Sequence, residues 1–76
     1  LINVTIETGQ WAKAYLAERV MQISLPQGTQ AGNLASVLAI GEDDAGAVIV
    51  NGSIAKPGQI LQDGDKIKML ASIIGG

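Results

Sequence analysis

The sequence predicts an α+β domain in which a single short helix lies against one face of a sheet. Three observations predict it. Apolar residues recur at every second position over residues 1–7, 20–25 and 66–70, the pattern of strands with one buried face. Only one stretch, residues 29–40, shows a clear stripe of apolar residues at helical spacing. The dipeptides Asn51-Gly52, Pro57-Gly58 and Asp63-Gly64 cut the remainder into short pieces joined by turns. A sheet and an amphipathic helix each have one apolar face, and packing them together buries both.

Composition narrows the function classes. A chain of 76 residues forms one domain. At this size it buries roughly 60–65% of its unfolded surface, so its stability is modest. Apolar residues make up 47%, with no Phe, one Trp and one Tyr, so the core is aliphatic. The net charge is −2 and the five basic residues are scattered, which argues against nucleic-acid binding. No apolar run is long enough to span a membrane and no signal-peptide pattern is present, so a cytoplasmic protein is expected. The first residue is Leu1 rather than Met, which suggests a processed or trimmed start. Absence of Cys and His excludes disulfides, the usual zinc sites, a thiol nucleophile and a Ser-His-Asp triad. No Walker-type loop occurs. An enzyme working alone at neutral pH would have to use Asp, Glu, Lys, Ser or Tyr.

Taken in order, Ile2, Val4 and Ile6 face one way and Asn3, Thr5 and Glu7 the other, a strand stopped by Thr8-Gly9. Residues 10–19 contain good helix formers but are short, and read as a helical turn or irregular loop. Trp11 and Tyr15, four apart, read as a lid on the core rather than a ligand site. Met21, Ile23 and Leu25 give a second strand its buried face, and the two strands suggest an antiparallel hairpin. Thr29 reads as a helix N-cap, Ala31, Leu34, Val37 and Leu38 as the buried helical face, and Gly41 as a left-handed C-cap. Glu42-Asp43-Asp44 reads as a solvated loop, because three consecutive carboxylates rarely converge on one ion. Residues 47–50 form an apolar strand, Asn51-Gly52 a tight hairpin turn, and residues 53–55 its return. Residues 66–70 form the last strand, with Ile67 and Met69 inward and Lys66, Lys68 and Leu70 outward.

Beyond Leu70 the alternation stops, and Ala71-Ser72-Ile73-Ile74-Gly75-Gly76 carries no turn or cap signal. Gly-Gly is thin and adopts backbone angles closed to other residues. Extended, the segment reaches roughly 20 Å, enough to thread a carboxylate into another protein's active site. The organisation expected is a domain over residues 1–70 and a flexible tail over 71–76. Leu70 beside Lys66 and Lys68, leading into Ile73 and Ile74, makes an apolar patch at the tail's root and a candidate partner-binding surface.

A mixed sheet grasping one helix is the β-grasp, or ubiquitin-like, architecture. Leu25-Pro26-Gln27-Gly28-Thr29, Val48-Ile49-Val50-Asn51-Gly52, Leu61-Gln62-Asp63-Gly64-Asp65-Lys66-Ile67 and the closing Gly75-Gly76, in that order, resemble the β-grasp sulfur carriers of the MoaD/ThiS type. The resemblance covers most of the chain from Leu25 onward and, more loosely, the first hairpin. Two departures stand out: Ala71-Ser72 occupies a place where many members have prolines, and Met69-Leu70 one where many have an aromatic. They imply a tail that is more flexible or suited to a different partner.

The resemblance implies a chemistry. An adenylating enzyme related to the ubiquitin-activating (E1-like) enzymes uses Mg-ATP to activate the carboxylate of Gly76. A persulfide or sulfide source replaces AMP and leaves a thiocarboxylate, and a sulfur-accepting synthase is the second partner. Gly76 would carry the sulfur and Gly75 would let the tail fit the enzyme's tunnel. The resemblance thus implies a cosubstrate or non-catalytic subunit, not itself an enzyme, with no metal or cofactor bound to it. The connection before Val20 is long for the thiamine branch, so the small subunit of a molybdopterin synthase is the favoured comparison. Two alternatives remain: a ubiquitin-like modifier joined to lysines through Gly76, and a non-catalytic β-grasp interaction module.

Overall fold

The computed structural model describes residues 1–13, 15–16, 19–41 and 43–72. Five strands form one mixed sheet: β1 (Ile2–Glu7), β2 (Val20–Leu25), β3 (Ala45–Val50), β4 (Ser53–Ile54) and β5 (Lys66–Ala71). Their order across the sheet is β2-β1-β5-β3-β4. Two antiparallel hairpins thus flank β5, which runs parallel to β1 with Ile6 opposite Ile67 and antiparallel to β3 with Val50 opposite Ile67. This is the β-grasp arrangement expected.

The alternation read from the sequence becomes the burial pattern. Ile2, Val4 and Ile6 of β1 and Ile67 and Met69 of β5 are buried on the inner face, against Leu25 and Val50 from the flanking strands. Ala31, Leu34 and Ile40 from the helical segment and Leu61 from the connector close the core. Each fully buried Leu or Ile contributes about 1.5–3 kcal/mol relative to leaving it exposed.

The helix is shorter than residues 29–40. A 3-10 turn (Ala31–Asn33) runs into one α-helical turn, α1 (Leu34–Val37). Neither proposed cap forms. The Thr29 hydroxyl donates to the Pro26 carbonyl at 2.6 Å, closing the preceding turn instead of accepting from the helix. The left-handed residue is Ala39 (φ 57°), not Gly41. Ile40 N–H donates to Ala35 C=O (2.8 Å) and Ala39 N–H to Ser36 C=O (3.1 Å), the bond pair of a Schellman motif. Burial of Ile40 explains the choice: reversing at Ala39 turns that side chain back into the core.

The first connection contains a 3-10 turn (Gln10–Ala12), in keeping with the helical turn expected. The aromatic pair does not act as a joint lid. Trp11 packs against the core, whereas Tyr15 is 39% exposed and its hydroxyl donates to the Asp44 carboxylate.

The turn between Leu61 and Lys66 joins both hairpins. Gly64 N–H donates to Asn3 C=O (2.7 Å) and Thr5 N–H to Asp65 C=O (3.0 Å), tying in β1. Asn3 N–H donates to Asp63 Oδ1 at 2.7 Å. On the other side, Asn51 Nδ2 donates to Asp65 Oδ1 and Lys66 N–H to Asn51 Oδ1, both at 2.9 Å. Gln62 N–H donates to Asp65 Oδ2 at 2.8 Å, so the buried Asp65 carboxylate is held on both oxygens.

Candidate functional site: the root of the Gly-Gly segment

β5, an inner strand beside β3, is the strand that the segment ending in Gly75-Gly76 follows in sequence. β5 takes in Ala71, one residue more than the alternation indicated, with Ala71 opposite Ala45. Ser72 N–H then donates to Asp44 C=O at 3.0 Å. Residues 73–76 lie outside the described residues, and with them the tail roles expected for Ile73, Ile74, Gly75 and Gly76.

The root is held by the start of β3. The β3–β5 register shifts between Ala45 and Val48, and Gly46 sits in that irregularity. A Cβ at Gly46 would lie 2.4 Å from the Ala71 carbonyl oxygen and 2.8 Å from its carbon. Glycine is required there because the β5 backbone passes where a side chain would stand. An isolated glycine inside an apolar run signals such a close approach, but starting the strand at residue 47 left it out of view. Asp44 serves twice, its carbonyl accepting from Ser72 and its carboxylate from Tyr15. That hydrogen bond, then partial burial and the carboxylate's charge, hold the Tyr15 phenol above its ordinary 10.0, against a smaller opposing contribution from the Gly41 backbone. Asp44 is therefore more than part of a solvated loop, while Glu42 lies outside the described residues. Among the described residues no group of His, Cys, Asp or Glu could hold a metal ion.

The outer face of the sheet leads to this root. Lys66, Lys68 and Leu70 all point outward, with Leu70 38% exposed. Lys68 Nζ lies 3.6 Å from Glu7 Oε2, both exposed, an ion pair of at most about 1 kcal/mol. Two shallow grooves share Glu7, Val20 and Lys68. One, of about 520 Å³, extends toward Ile49 and Lys66; the other, of about 430 Å³, toward Trp11 and Leu70. Together they bring Lys66, Lys68 and Leu70 onto one continuous surface with Val20 and Ile49, which sequence reading had not joined to them. No helix among the described residues is long and apolar enough to cross a membrane.

The described strands define a ubiquitin-like β-grasp domain whose inner strand is followed in sequence by Gly75-Gly76, and comparison gives its family. Residues 10–76 match the ThiS family, and the chain belongs to that family. Comparison with curated proteins gives no significant match. Solved structures share the fold at low identity. A provisionally assigned molybdopterin converting factor, subunit 1, from Pyrococcus furiosus superposes with a TM-score of 0.77 at 18% identity, over 96% of this chain and 100% of that one. Small archaeal modifier protein 1 from H. volcanii gives 0.74 at 15%, over 96% and 100%. The ubiquitin of Caldiarchaeum subterraneum gives 0.64 at 14%, over 99% and 98%.

Proposed function

We propose that this chain is a sulfur carrier whose Gly76 carboxylate is activated and converted to a thiocarboxylate. The observation that carries this reading is the extent of the family match, which runs through residue 76 and so includes Gly75-Gly76. A carboxylate is a poor electrophile because its oxygen leaves badly. An adenylating partner of the E1-like type, using Mg-ATP, joins the carboxylate oxygen to the α-phosphate and releases pyrophosphate. A sulfide source then attacks the acyl carbon, AMP leaves, and the terminus becomes a thiocarboxylate for a sulfur-accepting synthase. The chain's own part is to present that carboxylate at the end of a thin segment. Lack of Cys is in keeping with this, since no side-chain thiol competes as a carrier. Leu70, Lys66 and Lys68, on the outer face at the segment's root, form the partner-docking surface.

Molybdopterin-type synthesis is favoured over thiamine. Its support is the long connection over residues 8–19, together with the likeness of fold to the Pyrococcus converting-factor subunit. A second reading, a protein modifier joined through Gly76, is favoured by the likeness to small archaeal modifier protein 1.

The test is ATP–pyrophosphate exchange with the cognate activating enzyme. Deleting Gly76 withdraws the carboxylate by up to about 3.5 Å. A misplacement of even about 1 Å can cost 10²-fold, so exchange is expected to fall at least that far while melting is unchanged. Leu70→Glu is expected to raise the concentration of chain needed for half-maximal exchange. Intact mass after turnover with a sulfur donor should show one oxygen replaced by sulfur. Equal exchange by the wild type and the deletion overturns the activation step; conjugates on other proteins' lysines favour the modifier reading.

A further inference from the structure

The edge formed by β2 is long and undefended. Natural sheets blunt their edges with charge, proline, bulges or very short strands. The opposite edge, β4, follows that rule: it has two residues, Ser53–Ile54, and is soon followed by Lys56-Pro57. β2 has six residues, Val20–Leu25, with no charge, proline, glycine or bulge among them, its nearest charge and proline being Arg19 before it and Pro26 after it.

The phase of the β1–β2 ladder identifies the groups that this edge leaves over. Thr8 N–H donates to Arg19 C=O at 2.7 Å, so Thr8 and Arg19 are a hydrogen-bonded pair. Such pairs alternate along an antiparallel ladder, so Met21, Ile23 and Leu25 turn their amides toward β1. Val20, Gln22 and Ser24 turn theirs outward. All three are exposed, Val20 by 52%, and among the described residues none of their outward amides has a partner. Met21 and Ile23, inward-facing yet only half-buried, form the uncovered rim of the core.

We propose that β2 pairs antiparallel with β2 of a second copy of this chain, about a twofold axis at Gln22. In that register Gln22 faces Gln22 of the copy, and Val20 faces its Ser24. Every outward amide of these three residues then has a partner. Met21 falls opposite Ile23 of the copy on the inner face, so both cores continue across the junction. A shift of one residue would set inner against outer side chains. A shift of two would leave an outward amide pair unbonded. Charge permits the pairing: Arg19 falls opposite Leu25 of the copy, and the two Arg19 residues lie roughly 20 Å apart, beyond the screening length in physiological salt. The root of the Gly-Gly segment is on β5, two strands inward, and stays open in the dimer. A junction of one strand pair is smaller than a standard interface, so the dimer is weak and concentration-dependent.

Sedimentation equilibrium up to roughly 1 mM chain reads the association directly. The wild type is expected to dimerise. Gln22→Lys and Gln22→Glu each set like charges face to face at the axis and should weaken dimerisation by about fivefold or more. An equimolar mixture of the two should recover it, because opposite charges then meet. Residue 22 is exposed and leaves the β1 ladder untouched, so melting should be unchanged in both variants. A monomeric wild type at the highest concentration, a dimer indifferent to both variants, or a mixture no tighter than either variant alone overturns the proposal. Wild type that stays monomeric but takes up an extended peptide along β2 also overturns it, in favour of a different occupant.

Discussion

The β3–β4 hairpin turns on Asn51 and Gly52, whereas β1 and β2 are joined across residues 8–19 before they pair. In the short hairpin both turn residues have positive φ, 51° and 89°, the type I′ geometry whose twist suits adjacent strands. The Asn51 side chain also reaches out of its own hairpin, to Asp65 and Lys66. The longer hairpin has no comparable local device. Its register is held by the alternation of Ile2, Val4 and Ile6 against Met21, Ile23 and Leu25, and among the described residues the side-chain link between its strands, Ser24 Oγ to Asn3 Oδ1 at 2.6 Å, is exposed. One hairpin is specified by its turn and a buried polar junction, the other by burial of one face. That difference predicts where substitutions hurt.

The largest effect is expected at Asp65. Asp65→Ala strips the acceptor from Gln62 N–H and Asn51 Nδ2 where both are part-buried, and should cost about 3 kcal/mol. For a domain of this size that lowers Tm by roughly 10–20 °C. Ser24→Ala, which breaks the exposed link of the other hairpin, should stay within about 0.5 kcal/mol. Equal losses in thermal melting would mean that the two hairpins are not specified differently after all.

A smaller and more local effect is expected at Gly46, where the second hairpin meets the root of the Gly-Gly segment. Gly46→Ala brings a Cβ against the Ala71 carbonyl and should cost about 1–3 kcal/mol, most of it by displacing the end of β5. Amide exchange distinguishes this from general destabilisation. The Ser72 amide, bonded to Asp44 C=O, should exchange faster by more than the global loss explains, while amides of β1 and β2 follow the global loss alone. A uniform rise across the sheet would show that Gly46 does not hold the root.

The same contrast decides what could be read in advance. Asn51-Gly52 and Asp63-Gly64 were legible because their conformations are local: Gly52 and Gly64 both adopt positive φ. The facing of residues 66–70 in β5 was legible because burial imposes a period of two; Ala71, where the alternation stops, was not read as strand. The strand order was not, since the parallel pairing of β1 with β5 joins opposite ends of the chain and no local pattern encodes it. The helix caps were misread where local preference lost to packing. Gly41 suits a left-handed cap, yet burial of Ile40 puts the reversal at Ala39 despite its Cβ. At the candidate site, the outward Lys66, Lys68 and Leu70 were legible. Asp44 and Tyr15 were not, because their contact spans 29 residues and depends on how the first connection folds back.

The smallest effect concerns that contact, which joins the long connection of the first hairpin to the loop before the second. The chain has one Tyr, so tyrosinate absorbance during alkaline titration reports Tyr15 alone. The hydrogen bond to Asp44 requires the protonated phenol, so the folded chain should titrate above 10.0 and the unfolded chain near it. A group whose folded value is raised contributes its stability fully below the unfolded value. The contribution of the Tyr15 ionisation is therefore constant through neutral pH and is lost as pH rises through the folded value. Asp44→Ala removes both the acceptor and the charge and should bring the folded midpoint down toward 10.0. Because Tyr15 is exposed, the neutral-pH melting temperature should scarcely change in the same variant. A folded midpoint already at 10.0, or one that ignores Asp44→Ala, would leave the first connection unanchored at Tyr15 and widen the difference between the hairpins; a raised midpoint that falls with Asp44→Ala narrows it at this one point.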